Sequence, residues 1–422
     1  MQLVYKDKKT KTAVICPIVK AETLLFTSFD LEERENEARG LVEAMGQAVV
    51  FLESFKLSRI IPKSFFGKGV VEKIKEKCIE NEVELLVVDR PISAVQQKNL
   101  EKELNLKVID RTAVILEIFG RRANTNEGKL QVELAHLTYQ RGRLVRSWTH
   151  LERQRGGGGF LGGPGETQIE LDRRHIDNRI LKIKKELEKV KKTREIQRKS
   201  RIKVPYPVVC FVGYTNAGKS TLFNRLTNAK VLAKDMLFAT LDPTMRKIVL
   251  SDKNEAILSD TVGFISNLPH ELVMAFRATL EEVLEADIIL HVIDVSNPSY
   301  KEQRLEVCKV LHELGLSKIE YENNYVEVYN KIDKLEDDEN SLNGRKFGDG
   351  IMVSAISGKG CDKLLLLLSE KLKKESEIKE LAFDISDGKG IAEAYRNGKV
   401  LEKKEDYHKG KIYLKVKFNK KN

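Results

Sequence analysis

The chain has 422 residues, of which 41% are hydrophobic and 32% charged, and carries a formal net charge of +11. That length suits two to four domains, and the apolar content is enough for buried cores. No run approaches the ~18 apolar residues of a membrane span, no signal peptide opens the chain, and the five cysteines (Cys16, Cys78, Cys210, Cys308 and Cys361) show neither zinc-ribbon spacing nor the even count of a disulfide framework, so a reduced, cytoplasmic protein without a transmembrane segment is expected.

The first 120 residues alternate in pattern. Residues 69–80 suit a helix, 83–89 a strand, 93–104 a helix and 106–109 a strand, which gives an α/β subdomain over 1–120 with no catalytic constellation. Phe65-Phe66-Gly67-Lys68-Gly69 is a glycine turn, too short to hold phosphate on its own.

Residues 121–203 hold 22 Lys and Arg against 10 Asp and Glu, while the rest of the chain has 52 against 53. One segment therefore carries the whole charge imbalance and points to a polyanionic partner, nucleic acid by default. Leu130, Leu134, Leu137, Leu144, Trp148 and Leu151 form one heptad-like seam, and Ile169, Ile176, Ile180, Ile183, Leu187 and Val190 form another. Two long helices packed antiparallel are expected. Residues 155–165, rich in glycine, cannot hold a helix and would form the tip, with Phe160 and Leu161 at its centre and Arg153, Arg155, Arg173 and Arg174 on its flanks.

Alternation resumes over 204–375. Strands are expected at 208–213, 247–251, 256–260, 288–295, 326–330 and 351–354, with helices at 219–227, 270–285, 301–314 and 363–375, a mostly parallel sheet covered on both faces. The first strand runs into Gly213, Tyr214, Thr215, Asn216, Ala217, Gly218, Lys219 and Ser220, a complete phosphate-binding loop between strand and helix. Its backbone N–H groups would cradle phosphate oxygens, Lys219 would reach the terminal phosphates, and the Ser220 hydroxyl would hold Mg²⁺. Phe238, Ala239, Thr240, Leu241 and Asp242 form a candidate switch segment, with Thr240 as second Mg²⁺ ligand. Asp260, Thr261, Val262 and Gly263 end another strand. Asp260 would organise the metal, and Gly263 would approach the third phosphate. Asn330, Lys331, Ile332 and Asp333 follow an apolar strand; the Asp333 carboxylate can accept from both N1–H and the exocyclic amine of guanine, a donor pair that adenine lacks. Ser354, Ala355 and Ile356 would complete the base pocket through their backbone. Lys219, Thr240 and Gly263 are the candidate catalytic groups. Phe264 stands where many GTPases carry the glutamine that orients the attacking water, so slow intrinsic turnover or a group supplied by a partner is expected. Residues 376–422 alternate apolar and polar and read as a small strand-rich domain.

These motifs resemble those of the translation-factor-like GTPases. With Phe66-Gly67-Lys68-Gly69, the glycine tip running into Gly163-Pro164-Gly165-Glu166-Thr167-Gln168, Phe238 to Thr244, and Asp260 to Phe264, the whole chain is similar to the ribosome-associated HflX family. The resemblance implies an α/β P-loop GTPase domain, an α/β N-terminal domain with a helical arm and a small α+β C-terminal domain. It also implies GTP and GDP as substrate and product, Mg²⁺, and binding to the large ribosomal subunit and its RNA, with splitting of stalled ribosomes in some members. A monomer is expected, and peripheral membrane association is left open. A GTPase switch that acts on a protein or membrane partner through a coiled-coil arm, or an ATPase using the N-terminal domain, would be the rival readings.

Overall fold

The computed structural model describes residues 9–19, 28–154, 168–201, 206–227, 237–238, 244–265, 283–284, 286–313, 315, 324–336, 348, 350–374, 376–407 and 410–419. The expected tip, residues 239–242 and most of the expected helix 270–285 lie outside them. The chain divides into two units. Of the described residues, the first holds those within Met1–Leu187 together with 237–238, and the second holds the others.

In the first unit, β1 (Lys11–Val19), β2 (Ala48–Leu57), β3 (Leu85–Val88) and β4 (Lys107–Asp110) form a parallel sheet in the order β2-β1-β3-β4. β1 is buried from residue 12 to 18, the continuous apolar pattern of a strand covered on both faces. Pro17 is tolerated because β3 ends opposite Ile15, which leaves only β2 beside the residue that lacks an N–H. The helices are α1 (Ser28–Ala44), α2 (Lys68–Glu80), α3 (Ala94–Leu104) and α4 (Arg111–Arg122). The glycine turn at 65–69 opens α2. Its two phenylalanines fill the core, with Phe66 fully buried against Ile74, Leu86 and Leu100 among others. Ser93 and Gln96 form a reciprocal cap on α3.

The basic segment forms α5 (Asn126–Gln154) and α6 (Gln168–Arg201). Arg179 grips both oxygens of Glu133 at 2.6 and 2.8 Å, and Arg141 pairs with Asp177, so the second helix is tied back along the first. The most buried positions of α5 are Gln131, Val132 and Ala135, offset from the expected leucine seam. α5 also packs on α3 and α4 of its own unit, and Leu130, Leu134, Leu137 and Leu144 are half-buried. Its root is ionic: Arg143 donates to Asp110 at 2.7 Å and Tyr139 to the same carboxylate at 2.8 Å, while Asp110 also caps α4.

In the second unit, β5 (Val208–Gly213), β6 (Thr244–Val249), β7 (Glu255–Asp260), β8 (Ile288–Asp294), β9 (Tyr325–Asn330) and β10 (Ile351–Met352) form a sheet ordered β10-β9-β8-β5-β7-β6. All pairs are parallel except β6 with β7. Around it lie α7 (Lys219–Thr227), α8 (Tyr300–Glu313), the single turn α9 (Asp333–Glu336) and α10 (Cys361–Lys374). Phe211, Leu222, Phe223, Leu258, Leu290, Val328, Leu364 and Leu368 form part of its core. This is the P-loop GTPase fold, with helices covering a mostly parallel sheet. The small C-terminal sheet, β11 (Ser376–Asp384), β12 (Gly398–Asp406) and β13 (Lys411–Asn419), is antiparallel in the order β11-β13-β12, with α11 (Gly388–Asn397) packed against it through Ile391 and Ala394. Among the described residues no helix is long and apolar enough to cross a membrane.

Candidate nucleotide site

The phosphate loop leaves β5 at its C-terminal end and enters α7, so a helix N-terminus faces the space beyond the sheet edge. Gly218 has φ +91°, and a Cβ there would lie 2.2 Å from Asn330 Nδ2; both conformation and space demand glycine. Lys219 is buried. Its ammonium donates to the carbonyls of Gly213 at 3.0 Å and Tyr214 at 2.7 Å, which curls the loop around the charge. Burial depresses its pKa from 10.5 to about 8, Lys331 pushes the same way, and nearby Asp260 opposes both.

Asp260, fully buried at the end of β7, accepts from the Ser220 hydroxyl at 2.7 Å. A Cβ on Gly263 would meet Thr215 Cγ2 at 2.9 Å and Lys219 Nζ at 3.1 Å, so the residue after Val262 is set directly against the phosphate loop. Phe264 then pairs with that loop through its backbone: Thr215 N–H donates to its carbonyl at 2.6 Å, and its own N–H donates to the Gly213 carbonyl at 3.0 Å. Its side chain is 4% exposed. The residue in the position of the water-orienting glutamine is thus a core group. Thr261 donates to the Phe211 carbonyl at 2.5 Å.

The base-side segments converge on the same place. Asn330 donates to the Ala217 carbonyl at 2.8 Å and accepts from Ala355 N–H at 3.0 Å, so one buried amide links the phosphate loop to the loop 354–356. Lys331, at φ 65°, pairs with Asp294 at 2.7 Å. Asp333 opens α9, and its Oδ1 is buried with no hydrogen-bond partner among the described residues. A carboxylate oxygen in that condition needs a donor to offset its desolvation. Ile332 packs beneath with Val295 and Leu335. Ser354 donates its N–H to Lys359, and its hydroxyl accepts from Ser357.

Phe238 has its side chain committed elsewhere. Its ring, 2% exposed, meets Phe119 edge to face at 4.7 Å, and its carbonyl accepts from Arg122, all within the first unit. Two contributors carry no motif signature in the sequence. Asp294 holds Lys331, and Arg225 on α7 reaches across to the carbonyls of Ala355 and Ile356. Among the described residues no three His, Cys, Asp or Glu side chains gather as a metal cluster.

Three family models match the chain: "GTP-binding GTPase N-terminal" over residues 32–120, "GTP-binding GTPase Middle Region" over 122–201 and "50S ribosome-binding GTPase" over 208–331. The protein called GTPase HflX of Magnetococcus marinus is 50% identical over 85% of this chain and 82% of its own length. That of Escherichia coli is 44% identical over 92% and 90%. A GTP-binding protein from Sulfolobus solfataricus, solved with GDP, is 25% identical over 86% of this chain and 99% of its own, with a TM-score of 0.44.

Proposed function

The chain belongs to the HflX family of ribosome-associated GTPases, and from that premise we propose that it is a GTP-dependent factor that binds the large ribosomal subunit and splits or recycles stalled ribosomes in the cytoplasm. As a GTPase it binds GTP and hydrolyses it to GDP and phosphate. The observation that supports the site assignment best is the pairing of two features. A buried amide couples the phosphate loop to the base loop, and a buried carboxylate oxygen on Asp333 has no donor among the described residues.

In this reading Gly213, Tyr214, Thr215, Asn216, Ala217, Gly218, Lys219 and Ser220 hold the β- and γ-phosphates, Lys219 and the loop amides offsetting their charge. Gly263 approaches the γ-phosphate, where its lack of a side chain leaves Lys219 room to reach it. Asp333 takes the two guanine donors, Lys331 is held in place by Asp294, and the backbone of Ser354, Ala355 and Ile356 closes the base pocket. The donor set Ser220 and Asp260 is all oxygen, as Mg²⁺ prefers. Ser220 and Thr240 would hold that ion and Asp260 would orient its shell. When bound, Mg²⁺ supplies charge neutralisation between the phosphates. Phe264 cannot orient water, so turnover by the free protein is slow and the ribosome accelerates it. The arm (121–203) extends from the N-terminal subdomain (1–120), carries the excess positive charge and meets ribosomal RNA at its tip. The GTPase domain spans 204–375 and the C-terminal domain 376–422, and the protein acts as a monomer.

Deleting residues 156–163 tests the reading. GTP binding should be retained, while subunit-stimulated turnover and splitting should be lost to the same extent as in Lys219→Ala. Normal splitting by the deletion would reduce the arm to a structural element and remove this function from it.

A further inference from the structure

We propose that Arg225 is a positioning residue for guanine recognition, a role that rests on the nucleotide reading above. Arg225 lies in the last turn of α7, the helix that begins with the phosphate-loop lysine. Its guanidinium reaches 130 residues along the chain. Nε donates to the Ala355 carbonyl at 3.1 Å, and Nη2 donates to the Ile356 carbonyl. The fork thus holds two successive peptide planes. Gly358, at φ +90°, turns the chain beside the guanidinium, where a Cβ would be in ordinary van der Waals contact with Cζ at 3.7 Å.

Two consecutive carbonyls are a poor site for an anion and a good one for an arginine fork, whose planar donors fix direction as well as distance. A trans peptide sets the next N–H opposite its carbonyl. With the Ala355 carbonyl tied to Arg225, the Ile356 N–H is turned away from the guanidinium. Ala355 N–H is meanwhile taken by Asn330, and Ser357 N–H by Ser354 Oγ at 3.1 Å. The loop is therefore gripped from both edges, by Asn330 through an N–H and by Arg225 through two carbonyls. Among the described residues, the loop N–H that remains to meet the base is that of Ile356, a donor suited to the guanine carbonyl at position 6. Arg225 acts through that peptide and touches no nucleotide itself. Ile356 is 65% exposed, so no packing of its side chain could hold the loop in its place.

The test uses the full-length protein with GDP, ADP and 6-thio-GDP, whose sulfur is a weaker acceptor at that position, each measured by competition against a fluorescent GDP. The wild type should prefer GDP to 6-thio-GDP by roughly tenfold, the scale of one well-placed hydrogen bond. Arg225→Ala should weaken GDP by about tenfold and narrow that preference to about twofold, a non-additive loss. Arg225→Lys, which can hold one carbonyl but not both, should fall between. Loss of GDP and 6-thio-GDP affinity by the same factor in Arg225→Ala would overturn the proposal, because a merely structural arginine weakens both alike; so would unchanged affinity for both. A wild type that binds ADP as well as GDP would instead overturn the guanine site itself, and this proposal with it.

Discussion

Replacing Asn330 by alanine isolates the coupling between the two halves of the site. Asn330 is 1% exposed, and its two bonds, to the Ala217 carbonyl at 2.8 Å and from Ala355 N–H at 3.0 Å, join groups 113 and 25 residues away. Truncation leaves one carbonyl and one N–H buried without a partner. Each such orphan costs about 1–3 kcal/mol, so the loss is roughly 2–6 kcal/mol, at the low end if water enters the space left by the amide. A domain of this size loses about 2–4 °C of Tm per kcal/mol, which places the nucleotide-free GTPase transition roughly 4–24 °C lower. Release of a fluorescent GDP should quicken by at least tenfold, because the phosphate loop and base loop no longer move as one. Asn330→Asp is a second arm: it keeps the acceptor for Ala355 N–H but sets a carboxylate oxygen against the Ala217 carbonyl, so it should be no better than alanine. Calorimetry without nucleotide and stopped-flow release report the two effects separately. An Asn330→Ala protein that melts within about 1 °C of wild type and releases GDP within about twofold of its rate would refute the coupling.

Lys219 gives a pH signature. Its folded pKa of about 8 lies below its ordinary 10.5, so the nucleotide-free site sheds its proton before the unfolded chain does, and stability should rise between pH 8 and 10.5. Phosphate restores the charge, so nucleotide affinity should fall over the same window; Lys219→Met should flatten both curves in melting and binding titrations. Asp333→Asn should cut GTP affinity by roughly 10³-fold or more and raise that for xanthosine triphosphate, measured by competition. Phe264→Gln should lower the melting temperature, since burying an unpaired amide costs about 1–3 kcal/mol, and should leave single-turnover GTP hydrolysis no faster than wild type.

The sequence made the phosphate loop legible because its chemistry is local. Glycines, lysine and serine are fixed by spacing, and the flanking strand and helix, β5 and α7, fall at 208–213 and 219–227 as expected. The motif that carries Asp333 is local in the same way, four residues at a strand end, and its proposed role rests on them. β1, α1, β2 and α4 were not legible. β1 carries a proline whose tolerance depends on where β3 stops, and α1 buries little besides Ala38, Leu41, Val42 and Ala44 among many charges. The grip of Arg225 on Ala355 and the seat of Phe238 on Phe119 each join residues more than 100 positions apart, where no local pattern can report them. Periodicity marked an apolar face on α5 but not the added burial of Gln131, Val132 and Ala135 beside it, because α5 also packs on α3 and α4.

The central claim, that nucleotide state governs ribosome binding, is tested most directly by co-sedimentation with purified large ribosomal subunits. The protein should pellet with a non-hydrolysable GTP analogue, release with GDP, and weaken steeply as salt rises, because each phosphate contact frees counterions. Binding that is equal with the analogue, with GDP and without nucleotide would contradict it.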